Sequence, residues 1–322
     1  MMNSKSLKRT LFFLVGIVLF WYVYRNFDIL SINDALKGLK FKWIILSVIL
    51  GLISHIVRAL RWGMLIKPMG YKPKTINLFL SVLVLYFINL VIPRGGELAR
   101  CAVITKSEKI PFVKLLGTVF IERVTDFIAF IIIFSVVLVW QFRIVEQLFY
   151  SLTLDFSHFQ SKTITLGIAA SLILIFYVLS KRFGLLKRFA AKIHKVQGDI
   201  MEGFKSILQI RNKWTYLSYT ILIFMLWSVM FYVIYLAYPP TRNLPFSSAI
   251  FAYTIGTFAY LLPIQAGIGV WHFLIIESLF LFGLDKESGM MFALIAHAFT
   301  DLIYLVFGTL SFMIIPLIKN RG

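Results

Sequence analysis

With 60% hydrophobic and 16% aromatic residues in 322 and a mean hydropathy of +0.86, the chain is far too apolar for a soluble domain, and it holds several apolar runs of bilayer-crossing length. Thirty-three Lys and Arg against 14 Asp and Glu give a formal charge of +19, but the basic residues lie between the apolar runs, which points to a positive-inside membrane protein touching anionic lipid rather than to nucleic acid. The single cysteine, Cys101, excludes an intramolecular disulfide and a thiolate metal cluster.

The chain opens with Lys5, Lys8 and Arg9 ahead of the apolar Leu11 to Tyr24, the layout of a signal sequence. It lacks a small-x-small cleavage site and runs into Trp21, Tyr22 and Tyr24, so it reads as an uncleaved first span, Thr10 to Tyr24, entered from the cytoplasm. Span two, Trp43 to Ile66, ends among Arg58, Arg61, Lys67, Lys72 and Lys74, a second cytoplasmic cluster. The apolar run Ile76 to Ile92 comes next, yet the segment after it, with Arg94, Arg100, Lys106, Lys109 and Lys114, is basic again. A re-entrant helical hairpin over Ile76 to Ile104, turning at Pro93 to Gly96, reconciles the two; a pair of full spans satisfies the charge pattern equally.

Span three, Phe112 to Trp140, leads to a charge-poor, external loop, and span four, Thr163 to Ser180, returns to the most basic segment, Lys181 to Lys213. Phe183, Leu186, Phe189 and Ile193 between its charges predict an interfacial amphipathic helix. Span five, Trp214 to Tyr238, crosses outward. A second apolar run, Phe246 to Leu262, is broken by Pro263-Ile-Gln-Ala-Gly267-Ile-Gly269 and resumes as Val270 to Phe282, which predicts a second re-entrant hairpin, entered from outside. The last span, Ser288 to Ile318, ends at Lys319 and Arg321. The expected fold is an all-α polytopic membrane protein of six full spans and two re-entrant hairpins, with both termini cytoplasmic. It forms one membrane domain: residues 1–42 as first span and external loop, 43–140 and 214–318 as two repeats, and 141–213 between them.

The halves echo each other. Glu122-Arg-Val-Thr-Asp126 in span three lines up with His297-Ala-Phe-Thr-Asp301 in the last span, each after a Pro/Gly break. Opposed halves with broken helices are the plan of many transporters, although an enzyme can share it. Glu122, Arg123 and Asp126 lie deep in a span, where an unpaired charge costs roughly 2.5–3.5 kcal/mol, so they require partners. Helical spacing pairs Arg123 with Asp126 and leaves Glu122 for a hairpin arginine, Arg94 or Arg100. Such a group is either a salt-bridge cluster pinning hairpin to span or a polar, ion-coupling site. His297 and Asp301, one turn apart, suit a proton relay or a structural pair. On span two, His55, Arg58 and Arg61 share a face; Arg61 is expected to snorkel to the interface and Arg58, a turn deeper, to meet a lipid phosphate. Gln265, Gly267 and Gly269 shape the second hairpin, and Glu277 on its return arm joins the polar network or satisfies a neighbouring helix. No metal-ligand spacing, phosphate-cradling loop or nucleophile elbow occurs, so neither metal nor cofactor is expected.

Arg58-Ala-Leu-Arg61-Trp62, Pro93-Arg-Gly-Gly96-Glu97-Leu-Ala-Arg100, Glu122-Arg123-Val-Thr-Asp126 and Pro263-Ile-Gln-Ala-Gly267-Ile-Gly269 together resemble the lysylphosphatidylglycerol synthase transmembrane family, also called flippase-like membrane proteins. The resemblance runs from about Trp43 to Ile318. It implies a membrane region that flips aminoacylated phosphatidylglycerol made by a separate soluble domain. The longest polar stretch here, Lys181 to Lys213, leaves no room for such a domain, so lipid synthesis is not expected. The resemblance instead implies a translocase of the inner, cytoplasmic membrane for an anionic or isoprenoid-linked lipid. Arg58, Arg94, Gly95, Gly96, Glu97, Arg100, Gln265, Gly267 and Gly269 would surround the head group, and Glu122, Arg123, Asp126, Glu277, His297 and Asp301 would couple the movement. Membrane lipids and a separately encoded lipid-modifying enzyme are the implied partners. Trp271-His272 stands where the family pattern has an acidic residue. An intramembrane transferase acting on a lipid-linked substrate, or a non-catalytic partner of one, is the alternative.

Overall fold

A computed structural model describes residues 14, 16–28, 31–92, 94–144, 146, 197–261 and 264–319. Predicted span four, the start of the basic segment and both tip prolines lie outside the described residues. Every regular element among the described residues is helical: α1 (residues 16–24), α2 (Ser31–Gly38), α3 (Phe41–Ile66), α4 (Thr75–Val91), α5 (Gly96–Glu108), α6 (Phe112–Trp140), α7 (Gln197–Lys205), α8 (Lys213–Ala237), α9 (Phe246–Thr257), α10 (Val270–Leu281) and α11 (Lys286–Lys319). The chain is an all-α polytopic membrane protein.

Among the described residues α3, α6, α8 and α11 are long and apolar enough to cross a membrane. They fall on predicted spans two, three, five and six. The shorter helices behave differently. At about 1.5 Å per residue, the 12 residues each of α9 and α10 give about 18 Å, well short of a hydrocarbon core of about 30 Å. The 17 and 13 residues of α4 and α5 also fall short, so the lengths fit two hairpins that enter and return. At the base of the first, Glu108 Oε1 accepts from Asn77 Nδ2 at 2.6 Å and from the Lys74 amide at 3.0 Å. At the base of the second, the Phe251 and Phe282 rings meet at 5.7 Å.

Both tips reverse through left-handed backbone. The first uses Arg94 at φ 61°, and the second uses Ala266, Gly267 and Gly269 at φ 48°, 71° and 83°. Close approach also requires glycine at one point in each tip. A Cβ on Gly96 would run into the Leu85 carbonyl oxygen, and one on Gly269 into the Gly16 carbonyl oxygen of α1.

Helix packing repeats between the halves. α3 lies along α8; α4 packs on α3, α5 and α11, while α9 packs on α8, α10 and α6; α5 meets α6 as α10 meets α11. Exchanging α3–α6 for α8–α11 leaves these pairs unchanged. Side chains agree: Phe87 at the end of α4 faces Phe312 of α11 at 5.9 Å, and Phe258 past the end of α9 faces Phe134 of α6 at 4.8 Å. Each terminal long helix turns an apolar face outward, with Ile128, Ile132 and Val136 on α6 and Leu302, Leu305 and Val306 on α11 exposed as lipid requires.

Candidate functional site

An ionic cluster forms where α3, α5 and α6 converge. Glu122 is fully buried and sits at its centre. Its Oε2 accepts from Arg100 Nη2 at 2.7 Å, and its Oε1 accepts from Arg58 Nε at 2.9 Å and Arg123 Nη2 at 3.2 Å, with Arg61 Nη2 at 3.4 Å. Asp126, one turn on, accepts from Arg61 Nη2 at 2.5 Å and faces Arg123 Nη2 at 3.2 Å and Arg58 Nη2 at 3.6 Å. Glu97 reaches Arg123 at 4.0 Å. Neighbouring helices close the shell: Tyr86 OH of α4 accepts from Arg58 Nη1, Thr220 Oγ1 of α8 accepts from Arg61 Nη1 at 3.1 Å, and the Arg100 guanidinium lies 4.4 Å over the Trp62 ring.

Local sequence explains the convergence. Spacing of three puts Arg58 and Arg61 on one face of α3, and spacing of four puts Glu122 and Asp126 on one face of α6, so two carboxylates meet two guanidiniums across one helix interface. Arg100 arrives because α5 begins at Gly96, directly after the turn, with the Gly96 amide held by Asn89 Oδ1 at 2.8 Å.

Four guanidiniums against three carboxylates leave this cluster one positive charge in excess. Arg100 Nε and Nη1, Arg61 Nε and Arg58 Nη2 are buried without a hydrogen-bond partner among the described residues. Only Arg123, with 39% of its side chain exposed, Glu97 at 24% and Asp126 at 14% open the cluster to its surroundings. The bare cost of so much buried charge is met by mutual pairing, which leaves a preorganised cationic wall.

Several placements differ from the sequence reading. Arg61 does not snorkel: it is fully buried, because Asp126 and Thr220 hold its head group inside the bundle. Arg58 is equally withdrawn, its guanidinium committed to Glu122 and Tyr86 rather than open to lipid. Of the two hairpin arginines offered to Glu122, Arg100 takes the role. Arg94 instead is exposed and donates to the Leu261 carbonyl at 2.9 Å, joining one hairpin tip to the other. Glu277 pairs at 2.8 Å with Lys286 on an exposed surface, apart from the polar network. Gly95, Gly96, Gly267 and Gly269 shape the tips by backbone; the Gln265 side chain lies outside the described residues.

The second half holds its polar residues near its own tip. His297 Nε2 is 3.0 Å from the Ala266 carbonyl and 3.8 Å from Asp301 Oδ2, and its ring stacks on Trp271 at 5.1 Å. His272 meets His297 edge-on at 4.6 Å. A column of rings joins the halves: Tyr86 lies between His55 at 4.5 Å and Tyr304 at 4.5 Å, the latter on α11 one turn from Asp301. Sequence reasoning missed Trp62, Tyr86, Thr220 and Tyr304. Tyrosine inside the apolar run of α4 was the available signal, since a phenol at membrane depth needs a polar neighbour.

Among curated proteins, the chain is 31% identical over 129 residues to the UPF0104 membrane protein MJ1595 of Methanocaldococcus jannaschii, an alignment covering 39% of this chain and 38% of that relative. The match thus spans well under half of the relative's length. No solved structure matches the chain. The family model described as the lysylphosphatidylglycerol synthase TM region matches residues 10–308, nearly the whole sequence, and the chain belongs to that family.

Proposed function

We propose that this protein moves lipids with an anionic head group across the cytoplasmic membrane, with both termini on the cytoplasmic side. The observation that carries the reading is the buried arginine-carboxylate cluster: its one-charge excess and unpaired guanidinium N–H groups favour an acceptor-only, negatively charged ligand such as a phosphate diester. The partly exposed Arg123 and Glu97 form the approach to it. A transferase fits less well. Glu122 and Asp126 are each held by at least two guanidiniums, so neither is a free general base. Family membership agrees with a lipid-related role, and an enzyme that modifies the cargo would be a separate chain.

The test is reconstitution into liposomes with fluorescent phosphatidylglycerol and phosphatidylcholine, scored for both translocation and chemical change. Wild type should move the anionic lipid at least tenfold faster. Arg123→Gln, which cancels the charge excess at the half-exposed position, should reduce that rate about tenfold. Equal movement of both lipids by wild type, or a modified lipid product, would overturn the reading.

A further inference from the structure

We infer that the second half carries a proton-binding site, His297 with Asp301, whose occupancy sets how firmly the second hairpin tip is held. It goes beyond the proposed lipid movement by supplying what drives it. His297 Nε2 faces two acceptors, the Ala266 carbonyl at 3.0 Å and Asp301 Oδ2 at 3.8 Å. The Ala266 carbonyl accepts the one N–H that this contact puts on the nitrogen, and Asp301 Oδ2 lies just beyond hydrogen-bond reach of the same group. When Asp301 is ionised, its charge competes with the carbonyl for the N–H. When Asp301 takes up a proton at Oδ2, the carboxyl is neutral, the competition ends, and the N–H belongs to Ala266. The proton comes from water on one side of the membrane and returns to water on the other; no bond between heavy atoms changes.

Ala266 is the residue through which this contact matters. It holds φ 48°, a left-handed conformation that a non-glycine residue keeps only when its surroundings impose it. The His297 contact is one such restraint, so proton occupancy is linked to the conformation of the tip. The Leu261 carbonyl, which precedes the same tip, accepts from Arg94, which connects it to the first hairpin.

The groups around the pair are suited to one titrating carboxylate. From α10 come His272 and Trp271, from the tip Tyr260, from α11 itself Tyr304, from α4 Tyr86, from α9 Tyr253 and from α3 His55. Among the described residues, Asp301 has no arginine or lysine partner, whereas Glu122 and Asp126 in the first half have several. Asp301 is the less enclosed of the two, its side chain 34% exposed, while that of His297 is 7% exposed. An intramembrane carboxylate beside a histidine and without a fixed cation is the arrangement in which a proton is the natural counter-ion.

The experiment uses proteoliposomes containing fluorescent phosphatidylglycerol, with and without an imposed pH difference of about two units, and pyranine inside to report protons. Wild type should change its lipid-translocation rate several-fold with the gradient and acidify or alkalinise the lumen in step with lipid movement. His297→Gln keeps a donor for the Ala266 carbonyl but does not titrate in this range, and Asp301→Asn removes the carboxylate. Each should still move lipid, at a rate unaffected by the gradient and with no coupled proton signal. His297→Gln is the safeguard should Asp301→Asn not fold. If wild type moves lipid at one rate regardless of gradient, or if both variants keep the gradient response, the proton site is wrong. If wild type moves no lipid under any gradient, the failure lies in the proposed translocase activity.

Discussion

The two halves of this molecule share a backbone plan and differ in the chemistry placed on it. In the first, the residue 10 positions into α6 is Glu122, gripped by arginines from α3 and α5; in the second, the residue 11 positions into α11 is His297, which touches a backbone carbonyl and aromatic rings. Thr125 and Thr300 follow in the two helices and do the same thing, each donating to the carbonyl four residues back, at 3.0 Å and 2.7 Å. The scaffold therefore tolerates either a fixed ionic lattice or a sparse titratable pair at equivalent depth. One half holds its carboxylates in fixed ion pairs, and the other leaves Asp301 without an arginine or lysine partner among the described residues.

The largest expected effect breaks that contrast at its centre. Glu122→Gln would leave four guanidiniums facing two carboxylates in a fully buried site and should cost about 3–5 kcal/mol, read as a large fall in melting temperature and in the yield of monodisperse protein in detergent. His297→Gln, which keeps its donor, should cost less than about 1.5 kcal/mol. Equal losses would mean that the halves do not differ as drawn.

Next comes the tip geometry. Gly269→Ala meets two penalties, a left-handed φ of 83° and the carbonyl of Gly16, and should destabilise by about 2–4 kcal/mol. Gly70→Ala, at φ 84° with nothing within 4 Å of the added carbon, isolates the first penalty at about 1–2 kcal/mol. Comparable melting temperatures for the two variants would show that α1 does not press on the second hairpin.

Arg61→Lys sharpens the comparison from another side, because sequence and structure predict opposite results. A snorkelling arginine would accept lysine without loss. The buried guanidinium bridges Asp126 and Thr220 with different nitrogens, which an ammonium on a flexible stem reproduces only in part, so a loss of about 2–3 kcal/mol is expected in the same melting assay. No change in melting temperature would return Arg61 to the interface.

The origin of that error shows what the sequence carried. Long apolar runs and Pro/Gly interruptions made the four long helices and both hairpins legible, since length and hydropathy are local quantities. The pairing of Arg123 with Asp126 was legible for the same reason, through helical spacing. Arg61 was misread because six residues along the chain lies a basic cluster starting at Lys67, whereas its true partners, Asp126 and Thr220, are far off in sequence and reach it only through packing. The choice between Arg94 and Arg100 as partner of Glu122 was open for a related reason. The left-handed backbone of Arg94 turns the side chain toward the opposite tip, and no propensity at position 94 foretells that. Trp62 stood in the sequence only as the end of the Arg58-Ala-Leu-Arg61-Trp62 motif and Tyr86 not at all; both became visible as site residues only once Arg58 and Arg100 were seen against them.

The smallest effect tests whether the second half truly lacks a fixed charge site. Glu277 is the one acidic residue on its hairpin, and its partner Lys286 stands at the start of α11, 2.8 Å away. The two side chains are 37% and 54% exposed, so solvent and salt screen their attraction and the pair is worth only about 0–1 kcal/mol. Glu277→Gln, Lys286→Gln and the double variant should therefore melt within a few degrees of wild type, and all three should translocate lipid within about twofold of it. A double-mutant cycle gives the coupling directly. A coupling above about 1.5 kcal/mol, or a tenfold loss of translocation in Glu277→Gln alone, would place a working carboxylate at the base of the second hairpin. The asymmetry would then lie in where each half keeps its charge, at the tip in one and at the base in the other, rather than in whether the charge is fixed.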